Sequence, residues 1–383
     1  MSQLETDENQ CDYYKRSKRV VVKIGSGALT QKNGLNLEII ASIAKQINGL
    51  METGLEVILV SSGSVAAGMK KIGLSKRPDQ IPKRQAAAAV GQATLIMEYE
   101  KAFEAYDKKV AQILLTASGM TNRKRYLNAR NTIYTLLSWG IIPIVNENDT
   151  VAVDEIKFGD NDNLSATIAI LMEADILINL TDINGLYTKD PRQNSDAELI
   201  PVVNGITKKI EKLAGDIPGA LGVGGMSAKI KAARKLASAA MPMVIACAFE
   251  PDILTRLFAG EKHGTLFMPK EKRLPSRKCW LAYSVKPKGR LTIDEGAAAA
   301  VLKRGKSLLP GGVIRVDGEF SVGAPVEFGT LGNESSVIGL VNYSSSDIRK
   351  IMGMKTGMIK GILGSKPYDE VIHRDNLVVA DRC

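Results

Sequence analysis

From Arg19 to about Met268 the chain alternates short, nearly continuous apolar runs with longer stretches whose apolar residues recur every three to four positions. The short runs predict strands at Val20–Ile24, Glu56–Val60, Val110–Leu115, Ile141–Val145, Ala174–Leu180 and Met243–Ala246. The longer ones predict helices at Leu37–Thr53, Arg84–Phe103, Asn128–Ser138, Leu164–Met172 and Ser227–Ala240. In the first of these helices Ile39, Ile40, Ile43, Ile47 and Leu50 share one side. Apolar strands interleaved with helices predict an α/β fold: a three-layer, mainly parallel sheet covered on both faces. In such folds ligands sit beyond the C-terminal strand ends. The clusters Gly25-Ser26-Gly27, Ser61-Ser62-Gly63-Ser64, Asn146-Glu147-Asn148-Asp149 and Thr181-Asp182 all follow strands.

The pattern changes after Met268. Residues 269–278 are charged and bounded by prolines, and read as a linker. Short strands with Gly-rich turns follow over 279–366: Trp280–Val285, Val313–Asp317, Pro325–Phe328 and Val337–Tyr343. A short helix, Asp294–Arg304, is capped by Asp294 and stopped by Gly305. This predicts a small β-rich second domain, with 367–383 as a weakly patterned tail and 1–18 as a polar extension preceding the 19–268 domain.

Composition narrows the chemistry. The 383 residues exceed the size at which single cores usually split. No apolar run reaches the roughly 18 residues that span a bilayer, and the acidic start lacks a signal-peptide core, so no membrane association is expected. Four scattered cysteines suggest neither a disulfide framework nor a zinc cluster, and fit a reducing cytoplasm. With two histidines, a His-based triad or metal site is disfavoured, and no protein metal ligand is expected. Net charge is +10, and from Arg277 onward 16 Lys/Arg face 11 Asp/Glu. A solvated basic surface and a nucleic-acid footprint both stay open on that count.

The densest chemistry lies in Asn146, Asn148 and Asp149, and in Asp160, Asn161, Asp162 and Asn163. Turn and N-cap roles account for one or two such residues; seven in two neighbouring loops suggest a polar-substrate site. Lys23 stands at a strand end before Gly25 and Gly27, where backbone amides can approach phosphate oxygens. Neither the P-loop nor the Rossmann pattern occurs there, and a strand-to-turn glycine pair is more often structural, so this motif alone is weak. Val223-Gly224-Gly225-Met226-Ser227-Ala228-Lys229 opens a helix, a natural anion site. Lys229 opposes the dipole of that helix. Charge demanded by a phosphoryl group would explain it, although a solvated lysine is the plain alternative. Two lysines on separate glycine turns, with acids between, suit phosphoryl transfer by positioning and charge neutralisation.

These segments, together with Ile156-Lys157-Phe158-Gly159-Asp160-Asn161-Asp162-Asn163, Asn184-Gly185-Leu186-Tyr187 and Asp190-Pro191-Arg192, resemble the amino acid kinase family in order from about Arg19. Leu308-Leu309-Pro310-Gly311-Gly312-Val313 and Asp294-Glu295-Gly296-Ala297 resemble a PUA domain, a small pseudo-barrel. The resemblance implies ATP-dependent phosphorylation of the L-glutamate side-chain carboxylate to L-glutamyl 5-phosphate, the first step towards proline. It implies catalytic roles for Lys23, Lys229 and Asp162, the last orienting both lysines. Ser62, Asp149, Asn161 and Lys157 match substrate-binding positions. Lys23, Thr181, Asp182 and the run from Val223 to Lys229 match nucleotide contacts. ATP with Mg²⁺, proline as a feedback inhibitor and homo-oligomerisation are also implied. Gly27 and Ala228 depart from the family's bulkier and hydroxyl residues, without removing a charge. Aspartate or N-acetylglutamate kinases are alternatives, as is an RNA-binding protein with a degenerate kinase domain. The last predicts loss of Lys23, Lys229 or Asp162, and all three are present. PUA domains elsewhere bind RNA, but few aromatics are available for base stacking, so a regulatory or assembly role is expected instead.

Overall fold

A computed structural model describes residues 13–31, 34–152, 161–215, 225–269, 278, 280–281, 285, 287–330 and 337–379. The chain divides into two compact units, 1–274 and 275–383.

In the first unit the described residues form an eight-stranded sheet. Its strands are β1 (Arg19–Ile24), β2 (Glu56–Ser61), β3 (Val110–Leu115), β4 (Ile142–Glu147), β5 (Ile176–Thr181), β6 (Val202–Val203), β7 (Met243–Cys247) and β8 (Thr265–Phe267). They lie in the order β3-β4-β2-β1-β5-β7-β8-β6, and all pairs are parallel except β7 with β8. The expected three-layer parallel architecture is therefore present. β6 and β8, of two and three residues, are too short to leave a sequence pattern.

Seven of its helices are α1 (Leu37–Glu52), α2 (Ser64–Lys71), α3 (Ile81–Glu104), α4 (Arg123–Ser138), α5 (Asn161–Leu171), α6 (Met226–Ser238) and α7 (Ile253–Phe258). Asn36 caps α1 by accepting from the Ile39 amide. One sheet face, including Val20, Val22, Ile24, Val57, Leu59, Ile178 and Leu180, packs on Ile40, Ile43 and Ile47 of α1 and Leu95, Tyr99 and Phe103 of α3. The intervening residues Val21, Ile58, Val60 and Leu177 are also buried, on the opposite face, as strand alternation requires. Burial on both faces is why these strands read as apolar runs.

α2 and α3 approach through glycine. A Cβ on Gly68 would lie 1.7 Å from the Ala87 carbonyl oxygen, and one on Gly91 would lie 1.8 Å from the Ser64 carbonyl oxygen. This contact fixes the start of α2, and so the residues just past β2.

The second unit has a five-stranded sheet ordered β10-β9-β11-β12-β13, from β9 (Arg290–Ile293), β10 (Val313–Asp317), β11 (Pro325–Gly329), β12 (Val337–Leu340) and β13 (Leu377–Val379). Asp294 caps a helix at Glu295–Ala298 by accepting from the Ala297 amide, wider turns carry it to Lys303, and Gly305 follows at φ +61°. The core gathers Leu291, Val326, Phe328, Val337, Ile348 and Ile372.

Three expectations are corrected here. Trp280 and Leu281 are helical rather than extended; both neighbours are buried, and Leu281 and Val285 are four apart, a spacing that fits a helix as well as a strand. β9 was not anticipated. The segment expected as a tail supplies β13, which pairs antiparallel with β12. The extension through residue 12 and most of the linker fall outside the described residues.

Candidate active site

β1, β2, β4, β5 and β7 all end at one sheet edge, and the predicted site residues gather there. Lys23 pairs in register with Val60 on one side and Asn179 on the other. The same row continues through Val145 and Ile245 to Ile113 and Thr265, so Lys23 and Asn179 are adjacent polar members of a mostly apolar row, side by side on one face.

Asp162 meets that row. It lies in the first turn of α5, which packs over β1 and β5. Lys23 Nζ lies 2.7 Å from Asp162 Oδ1, Asn179 Nδ2 donates to the same oxygen at 2.7 Å, and Lys229 Nζ lies 3.2 Å from Oδ2. All four residues are buried, Asp162 at 2% exposure. Burial alone would raise the carboxyl pKa. The two ammonium charges outweigh it, and with the Lys23 and Asn179 hydrogen bonds hold it at about 2. Lys229 is thus no solvated lysine. α6 is tied to α5 a second time by Lys235, whose Nζ donates to Thr167 Oγ1 at 2.6 Å and Asn163 Oδ1 at 3.0 Å.

Asn161 reaches the other way. Its Nδ2 lies within hydrogen-bond range of Ser61 O, Ser62 Oγ and Asn146 Oδ1, at 3.0, 2.9 and 3.0 Å. Asn146 Oδ1 also accepts from the Glu147 amide. Among the described residues Asn146 Nδ2 and Asn161 Oδ1 are buried without a partner: a donor and an acceptor in one polar cluster, the kind of pair a small zwitterion satisfies.

Asp149 accepts from Ser64 Oγ at 3.1 Å. Burial raises its pKa, opposed by the Ser64 hydrogen bond and the Arg77 charge. Ser64 follows Gly63, whose φ of +101° turns the chain from β2 into α2. Farther along the edge, Thr181 Oγ1 donates to Asp182 Oδ1 at 3.0 Å. A Cβ on Gly27 would lie 3.1 Å from Asp182 Cγ, so the small residue at 27 leaves room for that carboxylate. Gly225 precedes α6 with no side-chain cap, and Met226, Ser227, Ala228 and Lys229 make its first turn.

Lys23, Asp162 and Lys229 therefore form one triad, with Ser62 and Asn161 bonded beside it. Lys157, Val223 and Gly224 lie outside the described residues. One detail differs from expectation: Asn161, Asp162 and Asn163 are not loop residues but the first turn of α5, and Asn146 and Glu147 end β4. Ser64 and Asn179 were not singled out from sequence. An amide inside Ile176-Leu177-Ile178-Asn179-Leu180 was the available signal for the second.

Among the described residues no group of three His, Cys, Asp or Glu is arranged to hold a metal, and no helix is long and apolar enough to cross a membrane. Two ammonium groups bridged by a carboxylate, beside a helix N-terminus, can neutralise a phosphoryl group in transfer.

A family model described as the amino acid kinase family matches residues 18–247, and one described as the PUA domain matches 289–363. The chain is 48% identical over 376 residues to the glutamate 5-kinase of Syntrophus aciditrophicus, covering 98% of each chain. It is 51% identical over 364 residues to that of Geobacter sulfurreducens, covering 94% of this chain and 97% of the relative. It is 50% identical over 365 residues to that of Thermoanaerobacter sp. strain X514, covering 95% and 98%. With the matched segments carrying β1 through β7 and every described residue of the candidate site, the chain belongs to the amino acid kinase family.

Proposed function

We propose that the protein transfers the γ-phosphoryl group of ATP to the side-chain carboxylate of L-glutamate, forming L-glutamyl 5-phosphate, the first step of proline biosynthesis. The observation that carries the chemistry is the buried Lys23–Asp162–Lys229 triad; the near full-length relatives carry the substrate. A carboxylate is already ionised and nucleophilic at neutral pH, so transfer needs no general base. Lys23 faces the attacking and transferring oxygens, Lys229 faces the nucleotide phosphates, and Asp162, bonded to both, fixes where the two ammonium groups stand.

Asp149 receives the substrate ammonium. Ser62, Asn161 and Lys157 complete the set of amino-acid-binding residues. Thr181 and Asp182 contact the adenine nucleotide, and Val223, Gly224, Gly225, Met226, Ser227 and Ala228 lead its phosphates to Lys229. Mg²⁺ would supply further neutralisation of phosphate charge and would need few ligands from the protein. The buried carboxylate nearest the proposed transfer site, Asp162, is committed to two lysines and does not fit as its ligand. Proline competes for the amino-acid pocket, the second unit serves assembly or regulation, and the enzyme works as a cytoplasmic homo-oligomer.

The test is a coupled ADP-release assay with L-glutamate, L-aspartate and N-acetyl-L-glutamate. Turnover with glutamate and none with N-acetyl-L-glutamate is the expected result, because Asp149 needs a free ammonium; the near full-length relatives favour glutamate over aspartate. Preferential turnover of the acylated substrate would overturn the pocket assignment.

A further inference from the structure

We propose that Asn179 is a positioning residue for phosphoryl transfer: a rigid neutral donor that fixes the rotation of the Asp162 carboxylate between the two lysines. This rests on the reading of Lys23, Asp162 and Lys229 as the transfer machinery.

β5 is buried throughout, and the neighbours of Asn179 within it are Ile178 and Leu180. Asn179 itself has no exposed surface. Among the described residues its side chain makes one hydrogen bond, to Asp162 Oδ1 at 2.7 Å, and its own Oδ1 is buried without a partner. An amide so placed costs stability, because half of its polar surface has lost water and gained nothing. Leucine would fill a similar volume on this apolar strand at no such cost. What the amide supplies is directional.

Lys23 and Lys229 end in ammonium groups on flexible four-carbon stems, and a carboxylate held only by such groups can turn with them. Asn179 has two side-chain torsions, is anchored in the middle of the sheet, and sits in register with Lys23. Its donation fixes Oδ1 as the oxygen that Lys23 meets, which leaves Oδ2 for Lys229. The charged groups facing Asp162 are Lys23 from β1 and Lys229 from α6, with Asn179 from β5 as the neutral third donor.

The experiment compares wild type, Asn179→Leu, Asn179→Asp and Lys229→Ala in the full chain, by steady-state kinetics, pH profile and thermal melting. For Asn179→Leu, kcat falls about 10- to 100-fold, the range for losing a hydrogen bond to a charged group. KM for glutamate and for ATP stays within about twofold, the acid limb of kcat moves to higher pH, and Tm is unchanged or higher. A residue with only a packing role would not lower kcat while Tm holds. Asn179→Asp, the same shape but obliged to share a proton with the Asp162 carboxylate it faces, moves the acid limb further. A folded Asn179→Leu with wild-type kcat overturns the proposal. Should that variant not fold, wild-type kcat with an unmoved acid limb in Asn179→Asp overturns it equally. Lys229→Ala separates the two levels: if it keeps its kcat, the site reading itself fails, whereas if it is crippled and Asn179→Leu is not, the positioning role alone fails.

Discussion

Asp162→Asn is the most informative single change, because it preserves shape and removes one charge from a buried cluster of three. Lys23 and Lys229 hold the carboxyl pKa down at about 2 against its ordinary 3.8, which corresponds to about 2 kcal/mol of stability at neutral pH. Removing the charge also leaves two buried ammonium groups facing each other. Breaking a buried ion pair in this way costs about 3–5 kcal/mol, so a Tm loss on the order of 10 °C is expected. The sign with pH follows from the depressed pKa. The carboxylate's contribution is fully present above about pH 4 and is lost as pH falls towards 2. Wild type and variant therefore converge on acidification. Urea unfolding of both proteins, followed by circular dichroism at a series of pH values, measures this directly. In the same preparation kcat should fall by on the order of 10²-fold or more, since both lysines lose their fixed positions. A variant within 1 kcal/mol of wild type at pH 7 would refute the buried triad. A clearly destabilised variant with full kcat would refute its role in transfer.

Lys229→Ala should lower kcat by on the order of 10²–10³ at saturating ATP. Asp149→Ala should raise KM for glutamate far more than KM for ATP, and equal effects on both would mark a structural acid. Because burial raises the Asp149 pKa and Ser64 opposes the rise, KM for glutamate should climb as pH falls towards a limb above the ordinary carboxylate value; Ser64→Ala should move that limb to still higher pH. Gly91→Ala, whose new methyl would lie 1.8 Å from the Ser64 carbonyl oxygen, should cost about 1–3 kcal/mol from overpacking and weaken glutamate binding before ATP binding, read from unfolding curves and the two KM values. A fragment ending at Leu274, where contacts divide the chain, should keep glutamate phosphorylation while its assembly or response to proline changes, as gel filtration and a proline titration would show.

The sequence by itself determined the layered α/β architecture, since strands buried on both faces must be apolar along their whole length, as in Val20-Val21-Val22 and Ile176-Leu177-Ile178. It also determined which edge carries the chemistry, because the Ser, Asn, Asp and Gly clusters follow strand ends, and it marked Lys23, Lys229 and Asp162 as the charged groups of interest. Strands of two and three residues, β6 and β8, carry too few positions for any periodicity, and β13 lay in a segment with no pattern of its own until pairing with β12 gave it one. What only the tertiary structure decided is which polar residues act together. Lys23 and Asn179 are 156 positions apart and become neighbours solely through the β1–β5 register. Asp162 joins them because α5 starts above that row, and Ser64 reaches Asp149 because two glycines let α2 and α3 touch. Apolar patterning records burial, a property each residue has alone; a hydrogen bond such as that of Asn179 to Asp162 belongs to a pair, and the pair exists only once the sheet has closed its register.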